Sequence, residues 1–321
     1  MHSISSAAVP AATPTTTVRT ARDVAALGTV LGIWAHPDDE VYLSAGIMAA
    51  ATAAGNRVVV VTATRGEHGT DDPVRWPPER LSAVRVGELA ASLAALDGGR
   101  GRIEHRFLGE SHGRRHVDGM LAATAPDGPV TELATIIDEI APDTVLTFGP
   151  DGMTGHPDHR TVAAWTRQAL RRTAAAPRLL QATCTVEWSR EFGGLLPAMD
   201  GGTDTFPVTP AADLAVELRL DAATLGRKTA ALAAQDSQTG PLREALGARR
   251  YRRFVGTEAF RQDAGVRWAP RRGVGTRSRA GTAPLLPAPG GRSGPARPPH
   301  PGGRPCADLC VPACAAARRP A

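Results

Sequence analysis

Cysteine is scarce in this 321-residue chain: there are four, and Cys306, Cys310 and Cys314 fall close to the end. Their spacing lacks the Cys-x-x-Cys pairs of common zinc modules, and Pro312 interrupts any helix that would align them. Cys184 stands alone in the apolar stretch "LLQATCTVEW" and reads as a small buried residue. No disulfide framework is indicated, which fits a reducing cytoplasm. Long apolar runs are missing too, so nothing approaches the length of a membrane span. The N-terminus has neither the basic start nor the apolar stretch of a signal peptide. A cytoplasmic protein with no membrane partner is expected.

Excess basic charge is also absent from most of the chain. Ten arginines and the single acid Asp308 give residues 267–321 a net charge of +9, and the whole chain carries only +5, which leaves residues 1–266 at −4. A mildly acidic body offers no electrostatic footing for nucleic acid, and a solvated basic tail is the simpler reading of the remainder. From Ala269 onward, Pro, Gly and Arg dominate without an apolar period. Such a composition cannot bury enough surface to offset its chain entropy. The expected organisation is a disordered extension over 1–27, one folded domain over 28–266, and a disordered tail over 267–321.

What is there, inside that body, is an alternation. Short apolar runs such as "TVLGIWA", "RVVVVTAT" and "DTVLTF" take turns with amphipathic or alanine-rich stretches such as "VYLSAGIMAAATAAG" and "PPERLSAVRVGELAASLAALDGG". The uniformly apolar β-branched run suits a strand covered on both faces. The pattern predicts an α/β fold: a Rossmann-like, mostly parallel sheet with helices on both faces and the active site at the carboxyl ends of the strands. Three loops that follow strands then converge on one rim: those at His36, at Arg65–Glu67 and at Pro150–His159.

The first of these loops reads "AHPDDE" and the third "GPDGMTGHPDHR". Three adjacent acids, Asp38, Asp39 and Glu40, repel one another unless they are solvated at a helix start or held by a cation. His156 and His159, three apart, share a helical face, although in isolation such a pair reads as two exposed histidines. Brought together, two histidines and a carboxylate form a set that binds zinc and leaves a place for water. Residue types alone leave open which aspartate is ligand and which is base.

These paired motifs resemble the zinc-dependent N-acetylglucosaminyl deacetylases of the LmbE-like or PIG-L-like family. "TATRGEHG" (62–69), "RVGELAASLAALD" (85–97) and "KTAALAAQDSQ" (228–238) are similar to further family segments, so the likeness spans about residues 28–261. The resemblance implies His36, Asp39 and His159 as metal ligands, for zinc or, in the cell, iron(II). It implies Asp38 as the general base toward the attacking water and His156 as the group that stabilises the tetrahedral oxyanion and protonates the leaving amine; an imidazolium there can stabilise the developing charge. Asp158 is expected to orient His156 through its other N–H. The implied partner is a small N-acylated amino-sugar substrate. The oligomeric state is left open.

Two positions depart from the family pattern: Thr154, where several relatives carry tyrosine, and Gln235, where histidine is expected. Arg85 and Glu88 read as a structural ion pair, Trp34 as core, and Arg65, Glu67, His68 and Arg75 as rim charges. The turn-rich stretch with His105, His112 and His116 reads as a surface loop. Two other functions fit the same motifs: a zinc amidase acting on an amide of a thiol or other small conjugate, and a metal-stabilised binding protein without turnover.

Overall fold

A computed structural model describes residues 17–195, 206–266 and 268–269. The expectations for residues 1–16 and 270–321, including the tail cysteines, lie outside the described residues.

Five parallel strands form the centre: β1 (Val30–Trp34), β2 (Val58–Thr62), β3 (Ile103–Phe107), β4 (Thr144–Phe148) and β5 (Arg178–Thr185). Helices α1 (Asp39–Ala53), α2 (Pro78–Asp97), α3 (Asp127–Ile140) and α4 (Pro157–Arg172) connect or follow them. The later elements are α5 (Val186–Phe192), β6 (Val208–Thr209), β7 (Leu214–Arg219), α6 (Ala222–Ala234), α7 (Asp236–Phe254) and β8 (Thr257–Gln262). The strand order is β3-β2-β1-β4-β5-β8-β7, with β6 paired to β5. β8 runs antiparallel to both β5 and β7, an antiparallel edge on a parallel sheet of the kind mixed sheets carry.

Every residue of β1, β2 and β4 is buried, as their unbroken apolar sequences require. The chain winds outward from β1 through β2 to β3, then returns to β4 on the other side of β1. That reversal opens a crevice at the carboxyl ends of β1 and β4, the place where ligands of such sheets bind. The His36 and His159 loops leave these two strand ends.

The domain starts earlier than residue 28. Val18 bridges to Val216, and Val18, Val24 and Leu27 are all buried in the core, the last two on a short 3-10 helix at Asp23–Leu27. Their apolar side chains lie too far apart in sequence to form a visible period, which is why composition alone assigns them to an extension. Strands β7 and β8 are a second addition. The apolar run of β5 ends at Thr185, whose hydroxyl caps α5, so "VEW" is helical and not strand.

One polar group ties the late elements to α1. The carboxylate of Glu258 in β8 accepts from the backbone N–H groups of Gly46 and Ile47 (2.6 and 2.9 Å) and from Lys228 Nζ at 2.8 Å. Lys228 also donates to the carbonyl of Tyr42. A Cβ at position 46 would lie 2.3 Å from the Leu220 side chain, which would have to shift to admit it.

Candidate metal centre and active site

The β1 loop delivers His36 and then turns sharply. Asp38 has φ 120°, a value that side chains rarely adopt, and it forms the N-cap of α1. Arg85 and Glu40 hold this strained residue. Arg85 of α2 donates to the carbonyls of Pro37 and Gly66 and places its guanidinium 3.5 Å from the Asp38 carboxylate. The Asp38 N–H donates to Glu40 Oε2. Gly66 must be glycine, because a Cβ there would strike the Arg85 guanidinium at 2.2 Å.

The β4 loop delivers His156 and His159. His159 sits in the first turn of α4, and its ring stacks on Phe148 with centroids 4.1 Å apart. His159 Nδ1 lies 3.0 Å from the carbonyl of Gly152, so Nδ1 carries the hydrogen and Nε2 carries a lone pair. His36 is placed in the same way: its Nε2 faces Asp118 Oδ1 at 2.9 Å and Asp158 Oδ2 at 3.3 Å, so its Nδ1 is free to ligate. His36 Nδ1 and His159 Nε2 lie 3.2 Å apart. Asp39 sets one oxygen 3.3 Å from His159 Nε2 and the other 3.7 Å from His36 Nδ1.

That donor set fits a cation. Two ligands about 2.0–2.1 Å from a tetrahedral zinc ion lie roughly 3.3–3.4 Å from each other. Burial opposes charge on the His36 ring, but Asp118, Asp158 and Asp39 outweigh it and hold its pKa well above the usual histidine value. A proton held there and a metal ion are competing occupants of the same lone pairs. Burial lowers His159 to about 4, which keeps its ring neutral and its lone pair available.

Among the described residues, His36 with His156 and His159 forms one close group of candidate ligands, and His36 with Asp118 and Asp158 another. The hydrogen bonds favour neither as the ligand set. His156 Nδ1 accepts the backbone N–H of Asp158, so its Nε2 carries a hydrogen and is a donor. Asp118 and Asp158 occupy the Nε2 side of His36, the side turned from His159.

The structure therefore brings His36, Asp38, Asp39, His156, Asp158 and His159 to one rim, with the contact of Asp158 altered. The Asp158 carboxylate does not orient His156. It reaches His36 and accepts from the N–H groups of Gly119 and Leu121. Burial, reinforced by the charge of His36, lowers the pKa of His156, and its Nδ1 accepts the Asp158 N–H, which leaves Nε2–H as the donor.

The three acids also part ways. Burial pushes Asp38 up to about 7 against the pull of Arg85, and Glu40 up to about 8. Glu40 is fully buried and takes a hydrogen bond from Gln235 at 2.8 Å, so the residue that departs from the family histidine secures the loop from behind. Burial favours the neutral form of Glu40, against the two N–H donors whose hydrogen bonds its carboxyl oxygens accept.

Asp118 is the residue that the sequence conceals. Its backbone N–H donates to Glu67 and its carboxylate accepts the His68 N–H, so the β2 loop supports it. An acid before glycine in a basic, turn-rich stretch gives only a turn signal. Arg85 and Glu88 do not pair as expected: Glu88 accepts from the N–H and hydroxyl of Ser237. Trp34 is core, fully buried with its ring edge to Phe148.

Residues 31–170 match the family model described as PIG-L, GlcNAc-PI de-N-acetylase. The chain is 32% identical over 216 residues to a 1D-myo-inositol 2-acetamido-2-deoxy-alpha-D-glucopyranoside deacetylase of Saccharomonospora viridis, covering 60% of this chain and 79% of that one. The same named enzyme of Gordonia bronchialis is 34% identical over 239 residues, covering 65% and 83%. Among solved structures, the A40926 pseudoaglycone deacetylase Dbv21 superposes with TM-score 0.50 at 20% identity, covering 74% of this chain and 97% of that one. A deacetylase triple mutant from the teicoplanin biosynthetic pathway gives 0.51 at 18% identity, covering 73% and 97%. These two likenesses concern the fold.

Proposed function

Because the chain belongs to the PIG-L family, we propose that it is a metal-dependent hydrolase that removes an N-acyl group from an amino-sugar conjugate. The observation that supports this most directly is the juxtaposition of the donor set His36, Asp39 and His159 with the half-buried carboxylate of Asp38 and the N–H donor of His156. Zinc suits two imidazoles and a carboxylate, and iron(II) is held by the same ligand types. When bound, the ion supplies Lewis acidity toward a carbonyl and toward water.

The chain's own groups supply the rest. Asp38, raised toward neutrality, takes a proton from the attacking water and returns it to the departing amine. His156 donates from Nε2 to the oxygen that gains charge as the carbonyl becomes tetrahedral. Asp118 and Asp158 fix the tautomer and the plane of His36. A purely binding site would need the three ligands but not a strained base beside them, which weighs for turnover.

The test is acetate release by the zinc-loaded protein from N-acetylglucosaminyl conjugates, the inositol one included. Asp38→Asn is expected to slow release by roughly 10²- to 10⁴-fold while metal content is unchanged. Absence of release from every conjugate would overturn the amino-sugar assignment. Full activity in the variant would remove Asp38 from the mechanism.

A further inference from the structure

A cavity of about 240 Å³ opens beside the donor set, lined by both polar and apolar side chains. Its lining combines Asp38, Asp39, His159 and Thr154 with the apolar side chains Leu43, Met153, Trp188, Phe206, Leu242 and Phe254. Trp188 is the centre of an aromatic cluster in this lining. Its ring centroid lies 5.1 Å from Phe206 and 5.2 Å from Phe254, and its Nε1–H is spent on the carbonyl of Phe254 at 2.8 Å. The indole therefore presents a ring with no unsatisfied donor. Its position is fixed because its backbone N–H takes the Thr185 cap of α5.

Neither His156 nor Asp118 lines this cavity. Asp118 sits on the Nε2 side of His36, and His159, which does line it, sits on the Nδ1 side. The polar groups outside the cavity suit a sugar and its amine, and the apolar lining suits what hangs from the other side of the amide carbonyl. We propose that this cavity receives the acyl chain, and that the preferred substrate carries a hydrophobic N-acyl group several carbons longer than acetyl. The proposal rests on the N-deacylase reading above.

Size supports it. A cavity of roughly 150 Å³ accommodates benzene, so the methyl of an acetyl group leaves most of this one unfilled. Thr154 also lines the cavity, and a larger side chain at that position would fill part of it.

The experiment is a series of methyl glucosaminides bearing N-acetyl, N-butanoyl, N-hexanoyl and N-octanoyl groups, with release of the free amine as readout. Each buried methylene is expected to raise kcat/KM about fourfold until the cavity is full. Thr154→Tyr is expected to move the optimum back toward acetyl. A flat series, or one in which acetyl is best, overturns the chain-length proposal and leaves the deacetylase reading standing.

A second arm is independent of turnover: calorimetric binding of N-octanoyl- and N-acetylglucosamine to the Asp38→Asn protein. Binding of the octanoyl compound at least tenfold tighter, with a negative heat-capacity change, supports the proposal. Equal affinities overturn it. If no member of the series is hydrolysed, the N-deacylase reading fails, and this binding ratio still decides what the cavity accepts.

Discussion

Asp118 and Asp158 both face the Nε2 of His36, and burial, which would favour their neutral forms, is outweighed by that ring so that both titrate below the ordinary carboxylate range. Partners of this kind make a ligating imidazole more basic and hold its orientation. Asp118→Asn is therefore expected to weaken zinc binding by 10- to 100-fold, read by competition against a chelator of known affinity, with the far-ultraviolet spectrum unchanged. The ligand motifs themselves were legible because a local sequence, "HPDDE" or "HPDH", encodes each of them. Asp118 was not, since its importance comes from a contact between residues 82 positions apart (36 and 118), and nothing local marks it. The same holds for Arg85, whose partners Pro37 and Gly66 lie on two different strand-end loops.

At the scale of elements, β3 carries a buried titration. His105 has its Nε2 3.0 Å from the Thr62 hydroxyl of the adjacent strand, and burial, helped by the charge of Arg65, lowers its pKa to about 4. The unfolded chain binds a proton to this residue below about pH 6.5, while the folded chain refuses one until about pH 4. Stability from this group is thus fully present above pH 6.5 and falls as the pH drops toward 4, by an amount on the order of 3 kcal/mol at most. Urea unfolding of wild type and His105→Gln at pH 7.5 and pH 5 should show a steeper acid loss in the wild type. The parallel strands were readable from their unbroken apolar runs and from the helices between them. β7 and β8 were not, because "LAVELR" and "TEAFRQ" are short, half-polar stretches whose strand character depends on pairing with β5 and with each other.

For the whole molecule, the boundaries make a paired prediction. A chain cut after Ala269 keeps the hydrogen bond from Ala269 to Ala176 and all the core residues described, and it should melt at the same temperature as the full chain. A chain starting at residue 28 loses the buried side chains Val18, Val24 and Leu27, each worth about 1.5–3 kcal/mol before the offset from chain entropy. It should unfold at distinctly lower urea concentration. Thermal and chemical unfolding of the two truncations decide where the domain ends. Among the described residues no helix is long and apolar enough to cross a membrane, and the core is continuous from Val18 to Phe260.

Lys228, pinned between Tyr42 and Glu258, is the only lysine in the sequence, and its side chain is 1% exposed. Every other cationic side chain that can reach solvent is a guanidinium or an imidazole. The folded protein accordingly offers an amine-directed reagent its N-terminal amine and no side chain. Acylation of Lys228 by an activated ester in native buffer would then record only those moments when α6 parts from α1 and β8, and its rate would clock the opening of the joint that fastens the late elements to the rest.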